Sequence, residues 1–272
     1  MDRNKLKRIL ALLGAALLLA VFCVPMFYAG GSGEGSQQRF MAAVAVAIFT
    51  PILVYICIMA VRIFGFKKRG SGEIRNIVFD VGNVLAGFDW EEYLDSYGFP
   101  KEKRERIADG VFRSSVWNER DRGLYPEEHY VQAFVDALPE YEEDIRELMR
   151  RSPECVHLYP YSETWLQYLQ NEGYRTFILS NYSQYMLDRN REQMAFLKYA
   201  DGAVFSCEEK MVKPEPEIYE RLLARFQLNP AETVFIDDRA ENVDAAVQRG
   251  MKGIVFRNFN DAVSRLENLG VK

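Results

Sequence analysis

Three apolar segments of this chain each end abruptly on side chains suited to ligand chemistry, and each leads into a helical pattern. Ile74, Ile77 and Val78 run into Phe79-Asp80-Val81-Gly82-Asn83-Val84. Phe177-Ile178-Leu179 ends on Ser180-Asn181, and Thr233-Val234-Phe235-Ile236 ends on the acid pair Asp237-Asp238. Short apolar, β-branched runs bounded by turn residues read as buried strands. Strands that alternate with helices build a parallel sheet covered on both faces. In such a sheet ligands sit beyond the carboxyl ends of the strands, where these polar residues fall. The pattern predicts strands near 74–80, 174–180, 203–206, 233–237 and 253–256. It predicts helices near 162–172, 183–198, 215–226, 240–249 and 261–269, with Gly173 and Gly250 where helix ends favour glycine.

One stretch breaks the alternation. Between 89 and 159 the sequence is helical, charged and aromatic, without a strand pattern. Gly123 and Pro126 end one helix there and start another, which runs to about Leu138, and 141–150 reads as one more.

The polar strand ends fit one kind of chemistry. A carboxylate (Asp80) can act as nucleophile and metal ligand, and the glycine after it lets the loop turn with its amides exposed. A hydroxyl and an amide (Ser180, Asn181) can hold a phosphoryl oxygen. A lysine (Lys213, in Met211-Val212-Lys213-Pro214-Glu215-Pro216) can offset negative charge, and an acid pair (Asp237, Asp238) can hold a divalent cation. These are the parts of phosphoryl transfer through an aspartyl phosphate.

The ordered set resembles the haloacid dehalogenase superfamily, mostly Mg²⁺-dependent phosphatases, from about Ile74 to the end of the chain. The Asp-x-Gly-Asn-Val motif is similar to that of bacterial sugar-phosphate phosphatases acting on glucose-1-phosphate. The Met211–Pro216 run is similar to the phosphatase domain of soluble epoxide hydrolase. The resemblance implies a Rossmann-like parallel α/β fold over 74–272, with an all-helical cap at about 89–159 that closes over the site. It implies Asp80 and Lys213 as catalytic residues, and Ser180, Asn181 and Lys213 as the phosphate site. Mg²⁺ would be held by Asp80, the carbonyl of Gly82, Asp238 and, directly or from behind, Asp237. Asn242 would orient the acid-pair loop. Most phosphatases of the superfamily carry a second aspartate two residues after the nucleophile, to protonate the leaving oxygen. Here that residue is Gly82, and general acid catalysis is worth about 10²–10⁴-fold. Glu119, Asp121 and Asp89 are candidate substitutes, and Trp90, Trp117, Arg113 and Arg120 are candidate pocket residues.

Charge is distributed unevenly. Residues 1–70 hold nine Lys/Arg against Asp2 and Glu34, while the rest holds 25 basic and 37 acidic residues, for a net charge of −5. An acidic catalytic part argues against nucleic acid as a partner. The basic part surrounds two uncharged runs, 9–28 and 41–61, each long enough to span a bilayer. They predict a transmembrane hairpin over 1–64 and a basic linker over 65–73. Arg3, Lys5, Lys7 and Arg8 before the first run, and Arg62, Lys67, Lys68 and Arg69 after the second, put both termini and the catalytic domain in the cytoplasm. A signal peptide ending near Ala29 is the rival reading, and leaves the domain on the same side. Four cysteines without a CxxC spacing read as reduced thiols, and His129 and His157 are too separated for a zinc site.

These readings converge on a membrane-anchored, Mg²⁺-dependent phosphatase of a small phosphomonoester, a sugar phosphate by resemblance. The alternative is a membrane-bound scaffold that binds Mg²⁺ and phosphate ligands with little or no turnover. Gly82 is the residue that keeps it open.

Overall fold

Strand β1 (Asn76–Phe79) is the centre of a five-stranded parallel sheet. In a computed structural model of the chain, residues 72–272 are described, with Gln37, Met41 and Val44 besides. Apart from Met41 and Val44, the two predicted spans and the basic linker up to position 71 lie outside them. Among the described residues no helix is long and apolar enough to cross a membrane.

The strand order is β5-β4-β1-β6-β7, with β4 at Arg175–Ser180, β5 at Gly202–Phe205, β6 at Thr233–Asp237 and β7 at Lys252–Val255. Going out from β1, the chain runs to β4 and β5 on one side and to β6 and β7 on the other. The order therefore reverses beside β1, which opens a crevice at its carboxyl end. Ile77, Val78 and Phe79 are fully buried because both faces of the strand are covered. Period-two alternation divides them. Ile77 and Phe79 join a cluster with Trp165 and Leu166, whereas Val78 joins Phe177, Phe235, Ile218 and Leu222 on the other face. Phe79 meets the Trp165 ring edge-on at 4.9 Å.

The strand predictions agree with the structure to within two residues. The helix predicted over 183–198 does not survive intact. It ends at Asn190, and two 3₁₀ turns, Arg191–Gln193 and Ala195–Tyr199, carry the chain onward. Met194 and Phe196 are both buried, and residues two apart cannot share one helical face.

The inserted segment is helical, as its pattern implies. It comprises α1 (Trp90–Asp95), α2 (Lys101–Ile107, continued by a π turn at Ala108–Phe112), α3 (Ser115–Arg122), α4 (Glu127–Ala137) and α5 (Glu142–Arg151). It is not wholly helical at its root. Strands β2 (Ala86–Phe88) and β3 (Val156–Leu158) pair antiparallel where the insertion leaves and rejoins the sheet domain. Three-residue strands are too short to show a period, so the sequence did not reveal them.

The cap has its own buried charge. Arg120 of α3 is fully enclosed, with its guanidinium 2.7 Å from Glu127 of α4, 3.1 Å from Ser152 Oγ and over the Trp117 ring. Removing one partner of such a pair strands the other in a low-dielectric interior. Glu127→Ala is expected to cost about 3–5 kcal/mol in urea unfolding.

Candidate active site

The carboxyl end of β1 delivers Asp80. Its amide still donates to Ile236 O at 2.9 Å, so the residue is held in the sheet until the loop begins. The loop then folds on itself, with Leu85 N and Ala86 N both donating to Val81 O at 2.9 Å. Asn83 takes a left-handed φ of 55°, which short polar side chains tolerate. From there its Nδ2 donates to Asp238 Oδ2 at 3.0 Å, and its Oδ1 accepts from Phe88 N at 3.3 Å. Asn83 thus joins the loop after β1, the acid-pair loop and the ribbon at the root of the insertion. No role was assigned to it from sequence, although an asparagine after a glycine in a tight turn was the available signal.

Lys213 is the hub. Its side chain is only 1% exposed, and its Nζ lies 2.8 Å from Asp80 Oδ1 and 2.7 Å from Asp237 Oδ2. Asn181 grips its backbone from both sides, accepting from Lys213 N at 2.8 Å and donating to Lys213 O at 3.0 Å. Burial works against the ammonium, but Asp80 and Asp237 outweigh it and hold its pKa above the usual lysine value.

The carboxylates differ in how far the protein satisfies them. Asp237 is fully buried and engaged at both oxygens, by Lys213, by Arg239 N at 2.8 Å and by Asn242 Nδ2 at 3.0 and 3.1 Å. Asp80 receives Val81 N and Lys213 on Oδ1 alone. Burial pushes Asp80 up to about 7; Lys213 opposes this, and Asp237 and Asp238 add to it. Asp238 is also raised, by burial first and then by Asp237, against the hydrogen bond from Asn83.

Asp80, Asp237 and Asp238 bring one oxygen each within 4.8 Å of one another. Beside them Asn242 Oδ1 is buried without a hydrogen-bond partner among the described residues. An all-oxygen set with excess negative charge and an open acceptor for a coordinated water fits Mg²⁺. Asp80, Asp238 and the Gly82 carbonyl would hold the ion, with Asp237 anchoring Lys213 behind them.

A cavity of about 260 Å³ lies over this cluster. Asp80, Gly82, Asn181, Lys213, Asp238 and Asn242 are on its wall. Ser180 and Asp237 lie behind the wall, and the Ser180 hydroxyl reaches only its neighbour's carbonyl, at 3.5 Å. The roof is aromatic and apolar, from Phe88, Phe112, Trp117, Tyr182 and Met186. Of the four candidate pocket residues only Trp117 faces the cavity. Trp90 stacks on Phe112, Arg113 pairs with Asp109 and Glu105 at the surface, and Arg120 is turned into the cap. His157 pairs with Asp89 on the ribbon at 2.5 Å, and Cys207 is buried under Gly123, which pushes its thiol up to about 12.

The family model for haloacid dehalogenase-like hydrolases matches residues 74–250. The chain is a haloacid dehalogenase-like hydrolase. A sesquiterpene phosphatase of Aspergillus oryzae is 30% identical to this hydrolase over 179 residues, covering 65% of this chain and 87% of that protein. A D-ribitol-5-phosphate phosphatase of Bacteroides thetaiotaomicron is 23% identical, over 71% of this chain and 96% of that one. Among solved structures, a haloacid dehalogenase family enzyme of Bacteroides thetaiotaomicron with magnesium and inorganic phosphate has the same fold. It matches with a TM-score of 0.56 at 22% identity, over 70% of this chain and 98% of that one.

A carboxylate must lose its proton before it binds a metal. Mg²⁺ at a hundredfold excess over its Kd is expected to stabilise the hydrolase by about 2.7 kcal/mol, a rise of roughly 5–10 °C in unfolding midpoint for a domain of this size. Because Asp80 titrates near 7, that rise should shrink as pH falls through neutrality. Differential scanning calorimetry of the chain and of Asp80→Asn and Asp238→Asn checks this, with the rise absent in both variants.

Proposed function

We propose that this hydrolase is a Mg²⁺-dependent phosphomonoesterase that works through an aspartyl phosphate on Asp80. One observation carries the reading: a buried carboxylate at a strand end, ion-paired to a buried lysine and grouped with two more carboxylates, faces a cavity of about 260 Å³. Asp80 attacks phosphorus. Lys213 holds the attacking carboxylate in place and offsets charge as the phosphoryl group arrives. Asn181, on the cavity wall, supplies a donor to the phosphoryl oxygens, Ser180 supports it from behind the wall, and Asn242 keeps the acid-pair loop oriented. Bound Mg²⁺ supplies charge neutralisation between the nucleophile and the phosphoryl oxygens.

The substrate class is a small phosphorylated metabolite. The glucose-1-phosphate-phosphatase-like first motif and the D-ribitol-5-phosphate phosphatase relative support a sugar or polyol phosphate. The roof supports a second reading, because Phe88, Phe112, Trp117, Tyr182 and Met186 favour a leaving alcohol with a flat or apolar face. The sesquiterpene phosphatase relative points the same way. Phosphate release by the full chain should be measured with sugar phosphates, polyol phosphates, flavin mononucleotide and a prenyl phosphate. Turnover is expected to require Mg²⁺ and to vanish in Asp80→Asn, and the preferred class decides between the two readings. Absence of turnover on every compound, with folded protein, would favour the scaffold alternative.

The reading includes a membrane anchor, with the catalytic domain on the cytoplasmic face. The uncharged runs 9–28 and 41–61 and their flanking lysines and arginines support it. The full chain is expected in the membrane pellet after alkaline carbonate extraction. A chain starting at Gly72 is expected in the supernatant, and a full chain in the supernatant would remove the anchor.

A further inference from the structure

Gly82 leaves the nucleophile loop without a proton donor, and the loop has room for one. A Cβ built on Gly82 meets nothing within 4 Å. The acid that serves the leaving group must therefore come from another wall of the cavity. Three carboxylates were candidates from sequence, and geometry separates them. Glu119 is half exposed and pairs with Arg122 at 3.1 Å, and Asp89 is tied to His157 on the ribbon. Asp121, near the end of α3, lines the same cavity as Asp80 and Lys213.

Asp121 is also uncommitted. Among the described residues its carboxyl group has no hydrogen-bond or ion-pair partner, although arginines flank it in sequence. Arg120 is taken by Glu127, and Arg122 makes two 2.7 Å bonds to Glu215. The backbone around it is fixed to the sheet domain. Ser206 Oγ donates to Asp121 O at 2.6 Å, and Lys210 Nζ donates to Gly123 O at 2.5 Å. Arg122 and Glu215 close the same seam two residues from Lys213. A free carboxyl on a pinned backbone, facing the nucleophile from the cap, is a built position for proton transfer.

We infer that Asp121 is the catalytic acid and base that Gly82 cannot be. The inference rests on the phosphatase reading. In the first half, the Asp80 carboxylate oxygen bonds to phosphorus as the bond from phosphorus to the alcohol oxygen breaks. The bonding pair leaves with that oxygen, which takes the Asp121 proton. In the second half, ionised Asp121 takes a proton from water while the water oxygen bonds to phosphorus. The pair of the breaking bond returns to Asp80, inorganic phosphate leaves, and Asp121 is protonated again.

The surroundings suit the first step. Burial pushes Asp121 up to about 7; Arg120 and Lys213 pull it down, while Asp80 and Glu127 push it further up. Tyr182 and Cys207 also face it, both with raised pKa values and so neutral near pH 7. Burial thus favours the protonated form of Asp121, the form that the first step requires.

The test compares two aryl phosphates on the Mg²⁺-loaded full chain. Phenyl phosphate has a leaving oxygen that needs a proton, and 2,4-dinitrophenyl phosphate has one that does not. Because kcat/KM reports only steps through phosphoenzyme formation, it isolates the acid role. In Asp121→Asn, kcat/KM for phenyl phosphate is expected to fall about 100-fold or more, with loss of its alkaline limb, while that for 2,4-dinitrophenyl phosphate stays within about threefold. The kcat for 2,4-dinitrophenyl phosphate is expected to fall, because the variant lacks the base for hydrolysis. Equal losses on both substrates in kcat/KM, or no loss on either, would overturn the assignment. Should the variant not fold, the unmodified chain decides the matter: an alkaline limb with phenyl phosphate alone supports Asp121, and identical profiles for the two substrates overturn it. An unmodified chain that releases phosphate from neither aryl compound nor any of the sugar, polyol, flavin or prenyl phosphates would instead sink the phosphatase reading itself.

Discussion

The ammonium of Lys213, enclosed between Asp80 and Asp237, is the interaction on which the site depends. Burying a lone ammonium or carboxylate costs several kcal/mol even after relaxation. Here each charge is buried only because the others are. Asn181 fixes the lysine backbone, and Asn242 and the Arg239 amide fix Asp237. Burial first, and then the excess of carboxylates over the lysine, pushes Asp80 up to about 7 and raises Asp238. The same imbalance that would be a liability in a structural core suits the cluster to a divalent cation.

Sheet topology places these groups together. Asp80, Ser180 and Asp237 lie at the carboxyl ends of three adjacent parallel strands, with Phe79 beside Ile178 on one side and Ile236 on the other, so that Asp80 is level with Asp237 and Ser180 is one residue further on. Parallel strands all point their carboxyl ends the same way, so residues far apart in the chain meet at one edge. Lys213 is the exception. It comes from a loop before the helix Pro216–Phe226, and reaches the edge because its own backbone is bonded to Asn181.

The cap does more than cover the site. Its helix α3 contributes Trp117 and Asp121 to the cavity and ends on a seam of backbone and ion-pair contacts to the sheet domain. That seam runs to Glu215, beside Lys213, so closure of the cap and placement of the lysine share one stretch of chain.

By itself the sequence determined the parallel α/β class, the helical insertion and the residues at the strand ends. Hydrophobic period and turn residues are local signals, and Asp80, Ser180, Lys213, Asp237 and Asp238 all sit beside them. Only the tertiary structure decided how those residues divide the work. Asp237 and Ser180 proved to lie behind the cavity wall, and Asp238 and Asn83 to meet across it, because burial and pairing depend on contacts far apart in sequence. The ribbon of β2 and β3 was too short to carry a period, and the Arg122–Glu215 pair joins residues 93 positions apart. Three acids could have stood in for the missing donor at Gly82 as long as only their order was known. Folding turned two of them toward arginine or histidine and left Asp121 on the same cavity as Asp80, a choice made by packing and not by any pattern along the chain.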